Sequence, residues 1–224
     1  MFKRIFQQWK FRARARQLRK PSGRQAEKTG LMMNKANAFL YDRTLSIMNL
    51  QPEESILEIG FGNGKLFEKL FTLSPSLHVA GLDFSKENIA AAAKHNQEYI
   101  AAGRLMIEKG NSNQMPFADN SFDKVFCINV VYFWDEPSPH LQEVKRVLKP
   151  GGRFYVTIRT RESLDMMPFT RYGFTKYDEK DWKTLAEANG LVFEKGEKLE
   201  EPESDFYGRP FRVQSVCLVA RKED

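Results

Sequence analysis

The chain has 224 residues, 42% of them hydrophobic and 29% charged, so its length suits one domain with modest additions and a sizeable core. Its apolar runs stay well below the roughly 18 residues of a membrane span, and its first residues lack the apolar core of a secretory signal. Two cysteines, Cys127 and Cys217, are too few for a disulfide framework or a zinc site. We therefore expect a cytoplasmic protein without a bound metal.

The positive charge is concentrated at the start of the chain. Residues 1–28 hold ten lysines and arginines against one acid, Glu27, and so carry a charge of +9, whereas the whole chain carries +6. The remaining residues are therefore mildly acidic, at −3. The basicity belongs to one segment and says little about the partners of the rest of the chain.

Residues 2–18 predict a basic amphipathic helix. Apolar residues recur at helical spacing between the arginines and lysines, at Phe2, Ile5, Phe6, Trp9 and Ala13. Three interpretations stay open: a helix packed on the body of the protein, a helix that contacts a membrane surface or an anionic partner, and a transit peptide. The second of these would make the protein peripheral to a membrane.

Pro21-Ser22-Gly23 ends this helix. A second apolar pattern, over Leu31–Asn49, predicts a helix that caps the ligand site described below. We therefore expect residues 1–50 to form an N-terminal segment with a basic helix and a cap helix, and residues 51–224 to form one domain.

Strand and helix signals alternate from Pro52 onward. Helices are predicted between the strands and after them, at 63–71, 85–102, 138–148 and 178–189. Strands are predicted at 55–60, 78–83, 105–109, 122–129, 153–159, 191–197 and 211–221. Such alternation is typical of an α/β fold with a parallel sheet between helices, and the last two strands, joined without room for a helix, predict an antiparallel hairpin.

A glycine-rich turn follows the first predicted strand. In an open α/β sheet the ligand binds outside the carboxyl ends of the strands, and Gly60, Gly62 and Gly64 occupy that place. A dinucleotide loop would read G-x-G-x-x-G, but the third glycine is replaced by Lys65 in one register and by Phe67 in the other. The spacing is instead G-x-G-x-G with an acid two residues before it.

Four motifs in order resemble the class I S-adenosylmethionine-dependent methyltransferases. They are Glu58-Ile-Gly60-Phe-Gly62-Asn-Gly64, then Asp83 at the end of the second strand, then Gly110-Asn111-Ser112, and then Arg146-Val-Leu148-Lys-Pro150-Gly151-Gly152. Together with Met115–Asp123 they are similar to the small-molecule branch that includes the ubiquinone and menaquinone biosynthesis methyltransferases. The resemblance covers about residues 55–160 and implies a Rossmann-like, doubly wound sheet of seven strands.

The resemblance implies S-adenosylmethionine as cofactor and a role for each matching residue. Asp83 would hold the ribose hydroxyls, Phe84 would pack on the adenine, and Asn111 would face the adenine amino group in place of the family's usual Asp. Glu58 and Asn129 would lie toward the amino group of the cofactor. The complete set of implied cofactor-binding residues is Glu58, Gly60, Gly62, Asn63, Gly64, Asp83, Phe84, Asn111, Ser112 and Asn129.

The acceptor pocket is predicted from aromatic residues and methionines near this site. Residues 160–177 lie where such methyltransferases commonly build a substrate lid. The predicted pocket residues are Tyr132, Phe133, Trp134, Met167, Phe169 and Phe174. Tyr132 and His140 are the two weak candidates for a catalytic base, because methyl transfer from a sulfonium needs positioning more than a dedicated nucleophile.

These residues predict methyl transfer to a small, partly apolar molecule. Two other functions stay open: an RNA or ribosomal methyltransferase that uses residues 1–28 as a basic arm, and a cofactor-binding module without catalytic activity. Asn129-Val-Val-Tyr132 has the Asn and Tyr spacing of base N-methyltransferases but lacks their central prolines, which weakens a nucleobase acceptor.

Overall fold

A seven-stranded sheet runs through the protein, in a computed structural model that describes residues 2–205 and 210–224. In chain order its strands are β1 (Ser55–Ile59), β2 (His78–Asp83), β3 (Leu105–Lys109), β4 (Phe122–Ile128), β5 (Leu148–Arg159), β6 (Val192–Glu200) and β7 (Gln214–Arg221). Their spatial order is β3-β2-β1-β4-β5-β7-β6, and β7 runs opposite to the other six strands. The predicted fold class, a Rossmann-like and mostly parallel sheet with a C-terminal antiparallel hairpin, is confirmed.

Eight α-helices accompany the sheet in the described ranges. They are α1 (Phe2–Arg19), α2 (Ala26–Met48), α3 (Phe67–Leu73), α4 (Lys86–His95), α5 (Gln97–Ala101), α6 (Pro137–Val147), α7 (Arg161–Asp165) and α8 (Glu179–Ala188). Short 3-10 helices lie at Gly23–Gln25, Val131–Phe133 and Pro168–Arg171. None of the helices described has the length and apolar character needed to cross a bilayer.

Both faces of the sheet are buried. Successive side chains of a strand point to opposite faces, and in β1 Leu57 and Ile59 belong to one apolar cluster whereas Ile56 belongs to another. The first cluster includes residues of α6 and α8, among them the fully buried Trp182. The second includes residues of α2 and α3, so α2 packs on the sheet as part of the core.

The helix α2 is longer than predicted. It begins at Ala26, five residues before the predicted Leu31. Gly30 lies inside it, and a Cβ at that position would come within 3.1 Å of Asn63 Nδ2. This glycine therefore lets α2 pass close to the glycine-rich turn after β1.

The same turn also explains why two other helices differ from their predicted bounds. The helix predicted from Asn63 begins only at Phe67, since Gly64 has a φ of +70°, outside the helical region. The helix predicted over 85–102 is divided into α4 and α5 at Asn96, whose side chain donates hydrogen bonds to the carbonyls of Gly64 and Ala92 at 3.0 and 2.9 Å.

Strand boundaries differ from the prediction at the end of the chain. The strand β5 begins at Leu148 and includes Pro150-Gly151-Gly152, because an irregularity in its pairing with β4 accommodates the extra residues. The strand β7 begins at Gln214, whereas the predicted strand began at Phe211. In the structure Pro210–Phe211 pairs with Ser204–Asp205 in a separate two-stranded ribbon.

A capping box fixes the start of α8. Asp178 Oδ1 accepts a hydrogen bond from the Asp181 backbone N–H at 2.8 Å, and Asp181 Oδ2 accepts one from the Asp178 N–H at 3.2 Å. We expect Asp178→Ala to lower the free energy of unfolding by about 1 kcal/mol in urea titrations, the usual effect of losing such a cap. Lys180→Ala, at an exposed position two residues later, is the control; an equal loss in both variants would contradict the assignment.

Candidate functional site

A cavity of about 350 Å³ lies at the carboxyl ends of β1, β2 and β4. Its wall includes Gly60, Asp83 and Asn129, which end or directly follow those three strands. Ligands of open α/β sheets bind at this edge, and the volume falls within the usual range for small-molecule sites. The N-terminal helices supply the opposite wall, through Leu18, Arg19, Met33, Asn34, Asn37 and Tyr41.

The three glycines of the turn serve two different purposes. All three have positive φ, at +73° for Gly60, +65° for Gly62 and +70° for Gly64. A Cβ on Gly60 would meet Val130, and a Cβ on Gly64 would meet Ala92, each at 2.5 Å. A Cβ on Gly62 would meet nothing within 4 Å, although the residue belongs to the cavity wall. Gly62 therefore leaves open space where a ligand can approach the backbone.

Asp83 is held rigidly against this turn. Its Oδ2 accepts hydrogen bonds from the Gly62 N–H at 3.1 Å and from Asn88 Nδ2 at 3.0 Å, and its Oδ1 accepts one from the Ser85 N–H at 2.8 Å. Burial raises the pKa of the carboxyl above its usual value, while these hydrogen bonds act in the opposite direction. The result is an acid with a fixed position in the cavity wall.

Glu58 forms a buried pair with Tyr41 of α2. The Tyr41 hydroxyl donates to Glu58 Oε2 at 2.8 Å, and both residues also line the cavity. Burial raises the pKa of Glu58 to about 8, opposed by the hydrogen bond from Tyr41 and assisted by the charge of Asp83. Burial likewise raises the pKa of Tyr41 well above its usual value, so both groups are protonated at neutral pH in the absence of a nearby cation.

Asn129 connects α2 to the segment that follows β4. Its Nδ2 donates to Asn37 Oδ1 at 3.0 Å, and its Oδ1 accepts from the Tyr132 hydroxyl at 2.9 Å. The Tyr132 oxygen also accepts a hydrogen bond from the Arg159 backbone N–H. Tyr132 is buried outside the cavity wall, and burial raises its pKa, so its hydroxyl anchors the segment and is not placed to act as a base.

His140 lies in the cavity wall beside Ser112. Its Nδ1 is 2.7 Å from Ser112 Oγ, and its ring stacks on Trp134 with centroids 4.5 Å apart. Burial lowers the pKa of His140 to about 4, against the opposing effect of Asp135. The imidazole is therefore neutral at neutral pH and can accept a hydrogen bond or a proton.

Arg19 joins the end of α1 to the loop after β4. Its Nη1 donates to Asp135 Oδ1 at 3.1 Å and its Nη2 to Oδ2 at 2.5 Å, and both residues belong to the cavity wall. The pair is largely exposed, so its contribution to stability is small. The pair connects the N-terminal wall of the cavity to the wall formed by the loop after β4.

The structure brings most of the predicted site residues to this one cavity. From the cofactor set the wall contains Glu58, Gly60, Gly62, Asp83, Phe84, Asn111, Ser112 and Asn129, and from the acceptor and base candidates it contains Phe133, Trp134 and His140. Among the described side chains, no group of three or more His, Cys, Asp and Glu is arranged to hold a metal ion.

Two predicted cofactor residues lie behind the wall. Asn63 Oδ1 accepts from the Lys65 N–H at 3.3 Å, and the Asn63 carbonyl oxygen lies 3.0 Å from Nδ1 of His95 in α4, so both oxygens of Asn63 have partners in the protein. Gly64 is needed for its close approach to Ala92. Asn63 and Gly64 therefore stabilise the conformation of the turn and do not line the cavity.

Besides Tyr132, three other predicted pocket residues lie outside the cavity wall. Met167 and Phe169 form a separate apolar cluster with Val213, against which Phe11 and Leu18 of α1 pack. Phe174 packs on the Phe133 ring at 4.7 Å. The aromatic residues of 160–177 are therefore occupied in holding α1 and the segment after β4, and none of them lines the cavity.

The sequence did not point to Asn37, Tyr41 or Arg19 as site residues. Asn34, Asn37 and Tyr41 are spaced by three and four residues and so share one face of α2. That polar spacing inside an otherwise apolar helix pattern was the available signal for a helix that faces a ligand site.

Comparison with known proteins finds similarity to methyltransferases. The profile of a family described as "Methyltransferase domain" matches residues 57–156, from β1 into β5. The match covers 100 of the 224 residues, a little under half of the chain. A protein of Bacillus subtilis (strain 168) named "Uncharacterized methyltransferase YdaC" is 26% identical over 154 residues, which cover 69% of this chain and 82% of YdaC.

Two further similarities are in sequence to a methyltransferase and in fold to a solved structure. The ubiquinone/menaquinone biosynthesis C-methyltransferase UbiE of Geotalea daltonii is 28% identical over 130 residues, 55% of each protein, so the match spans about half of UbiE. The fold matches a chain of the complex between the Haloferax volcanii Trm112 methyltransferase activator and a methyltransferase, with a TM-score of 0.76, 18% identity and coverage of 89% and 96%. The protein is a methyltransferase, as predicted, and its family and fold imply S-adenosylmethionine as the methyl donor.

Proposed function

We propose that the cavity binds S-adenosylmethionine and that the protein transfers its methyl group to a small, partly apolar acceptor. The observation that carries the proposal is the combination of open space at Gly62 with the fixed carboxylate of Asp83 in the same wall. A glycine without a Cβ contact and a carboxylate at the end of the second strand are suited to a nucleoside whose ribose hydroxyls donate hydrogen bonds.

The other wall residues suit the remaining parts of the cofactor. Phe84 leaves 40% of its surface exposed and offers a ring face to the adenine. Asn111 can accept from the adenine amino group and donate to a ring nitrogen. Glu58 and Asn129 lie toward the methionine end, where the positive charge of the cofactor's amino group would favour ionisation of the Glu58 carboxyl.

The acceptor is proposed to bind beyond the methyl group, among the apolar residues of the wall. Val130, Phe133 and Trp134 are there, and Met33 of α2 lies in the opposite wall. Such a volume suits a single aromatic or aliphatic molecule better than a nucleic acid strand. The similarity to UbiE favours a phenolic or quinol ring as the acceptor class.

The chain contributes position and electrostatics to this reaction. S-adenosylmethionine supplies an activated methyl group when bound, and the wall orients the two molecules and excludes water. The neutral imidazole of His140, fixed by Ser112 and Trp134, is placed to accept a hydrogen bond from an acceptor hydroxyl and so to orient it.

Asp83→Ala tests the cofactor assignment. Loss of a hydrogen bond from a charged group costs about 1.5–3 kcal/mol, so we expect S-adenosylhomocysteine to bind roughly 10- to 100-fold more weakly by isothermal titration calorimetry. Glu98→Ala, which removes an exposed acid away from the cavity, is the matched control and should bind like the wild type. Equal affinity in all three proteins would refute the assignment.

The same proteins test the acceptor class. Wild type is incubated with S-adenosylmethionine labelled in the methyl group, together with phenols, quinols or transfer RNA, and the label is followed into each fraction. We expect transfer to the ring compounds and a loss of transfer in Asp83→Ala. Label found only in RNA would favour the nucleic-acid alternative.

A further inference from the structure

The helix α1 has two parts with different surroundings. From Phe11 onward its inner face packs on the body of the protein, where Phe11 and Leu18 contact the cluster of Met167 and Phe169, and Ala15 is buried. Residues 5–10 are exposed on every side of the helix. The part of α1 before Phe11 therefore extends beyond the surface on which the helix docks.

The extended part of α1 presents apolar side chains to the exterior. Ile5, Phe6 and Trp9 are 56%, 58% and 59% exposed. The rings of Phe6 and Trp9 stack with centroids 6.4 Å apart, and Lys10 Nζ lies 4.5 Å from the Phe6 ring centre. Large apolar side chains in such exposure mark a contact surface when they are grouped, as here.

Basic residues lie on the same side of the helix as Trp9, toward its C-terminal end. Arg12, Arg16 and Lys20 follow Trp9 at intervals of three, four and four residues, and all three are exposed. In the described part of the chain, Arg19 is the member of α1 that pairs with an acid. The outer face of α1 thus joins an aromatic end to an unneutralised row of positive charge.

We infer that α1 is an interfacial helix that binds the surface of an anionic lipid bilayer. In that position Ile5, Phe6 and Trp9 enter the headgroup region, and the lysines and arginines contact lipid phosphates. Tryptophan favours this boundary because its ring is apolar and its indole N–H is polar. We name the outer face formed by Ile5, Phe6, Trp9, Lys10, Arg12 and Arg16 the lipid-facing surface.

Charge decides against the other occupants of this surface. A second copy would bring together two segments that each carry +9, which repel one another. A nucleic acid would satisfy the basic row, but phosphate contacts give no reason for grouped aromatic and aliphatic side chains at the far end of the helix. A bilayer of anionic lipid can bind both the aromatic end of the helix and its row of positive charge.

The location of α1 gives the binding a consequence for the cavity. Leu18 and Arg19, in the last turn of the helix, belong to the cavity wall. Ile5 lies thirteen residues earlier, about 20 Å along a helix with a rise of 1.5 Å per residue. A membrane bound at the lipid-facing surface would therefore lie within molecular reach of the cavity, where an apolar acceptor could be exchanged.

Tryptophan emission provides a direct test. Trp9 is 59% exposed, whereas Trp134 and Trp182 are 4% and 0% exposed, so a change of environment at the helix is reported by Trp9. We expect the emission of the full chain to shift to the blue with phosphatidylglycerol vesicles. The shift should be absent with phosphatidylcholine vesicles and should be reduced in 0.5 M salt.

Vesicle flotation of variants separates the two halves of the surface. The double variant Phe6→Ser/Trp9→Ser should lower the partition onto phosphatidylglycerol vesicles at least tenfold. Leu73→Ser, which removes an exposed apolar side chain from a different helix, α3, should leave the partition unchanged. Lys10→Gln/Arg16→Gln should also lower the partition, whereas Lys94→Gln/Lys180→Gln, at exposed positions elsewhere, should not.

Binding of S-adenosylhomocysteine should be equal in all these variants, which verifies that they are folded. The inference is overturned if wild type does not float with anionic vesicles, or if Phe6→Ser/Trp9→Ser floats as well as wild type. It is also overturned if the same helix variants abolish RNA binding or self-association while vesicle binding is unchanged. None of these outcomes depends on which acceptor is methylated.

Discussion

Gly62→Arg is expected to abolish binding of S-adenosylhomocysteine while the protein remains folded. The Gly62 position has free space within 4 Å of an added Cβ, so the new side chain would extend into the cavity without displacing the core. A non-glycine residue at a φ of +65° costs about 1–2 kcal/mol, which a domain of this size can tolerate. Calorimetry should detect no binding, and thermal unfolding should remain cooperative.

Gly103→Arg is the matched control for this variant. Gly103 has a φ of +68°, an added Cβ there would also meet nothing within 4 Å, and the residue is exposed between α5 and β3. The two variants therefore carry the same new charge and similar backbone strain, but only one of them fills the cavity. Undiminished binding in Gly62→Arg, or an equal loss in Gly103→Arg, would show that the cavity is not the cofactor site.

The core of the fold was predictable because local signals agree with the global arrangement. The apolar runs of β1 and β4 end at residues that favour turns, and Ser85 caps α4 as expected, accepting from the Asn88 N–H at 3.4 Å. The glycine spacing also located the turn correctly. The spacing could not show that Gly64 must be glycine because Ala92 packs against it, whereas Gly62 faces open space. This difference depends on which residues pack nearby in the fold.

A helix that caps the site was expected, but the residues of α2 that line the cavity were not predictable from the same signals. An apolar helical pattern identifies the buried face of α2, but it does not identify which part of that face meets the sheet and which part meets a cavity. Tyr41 is fully packed and yet contacts Glu58 in the wall. Only the docking of α2 over the turn, allowed by Gly30, brings the two side chains together.

The aromatic residues of 160–177 were predicted to line the acceptor pocket, but they pack in the protein interior instead. A substrate lid and a satellite core have the same composition, since both need large apolar side chains without a regular period. In the structure Met167 and Phe169 are covered by Phe11 and Leu18. The partner that covers them lies about 150 residues away in the chain, where a sequence pattern gives no information about contact.

Glu58→Gln is expected to remove a pH-dependent loss of stability. Because burial raises the pKa of Glu58 from 4.5 to about 8, the folded protein holds this proton more tightly than the unfolded chain does. The resulting stabilisation is complete below pH 4.5 and is lost as the pH rises toward 8. A single group of this kind changes the free energy of unfolding by about 1.4 kcal/mol for each pH unit within that window.

Urea unfolding at pH 5.5 and pH 8 measures this effect. The wild type should lose on the order of 3 kcal/mol between the two conditions from Glu58 alone. Glu58→Gln keeps the size of the side chain and an oxygen that can accept from the Tyr41 hydroxyl, but it cannot titrate. Its loss should be smaller by that amount, whereas Glu98→Gln, at an exposed position, should behave like the wild type.

The same carboxyl links cofactor binding to proton release. The positive amino group of the proposed cofactor would favour the ionised form of Glu58 and lower its pKa, so binding near pH 7 should release up to one proton. Calorimetry in two buffers with different ionisation enthalpies measures this proton directly, and Glu58→Gln should release none. A wild type that releases no proton but still binds tightly would place the amino group away from Glu58, and the carboxyl would then be a structural partner of Tyr41 alone.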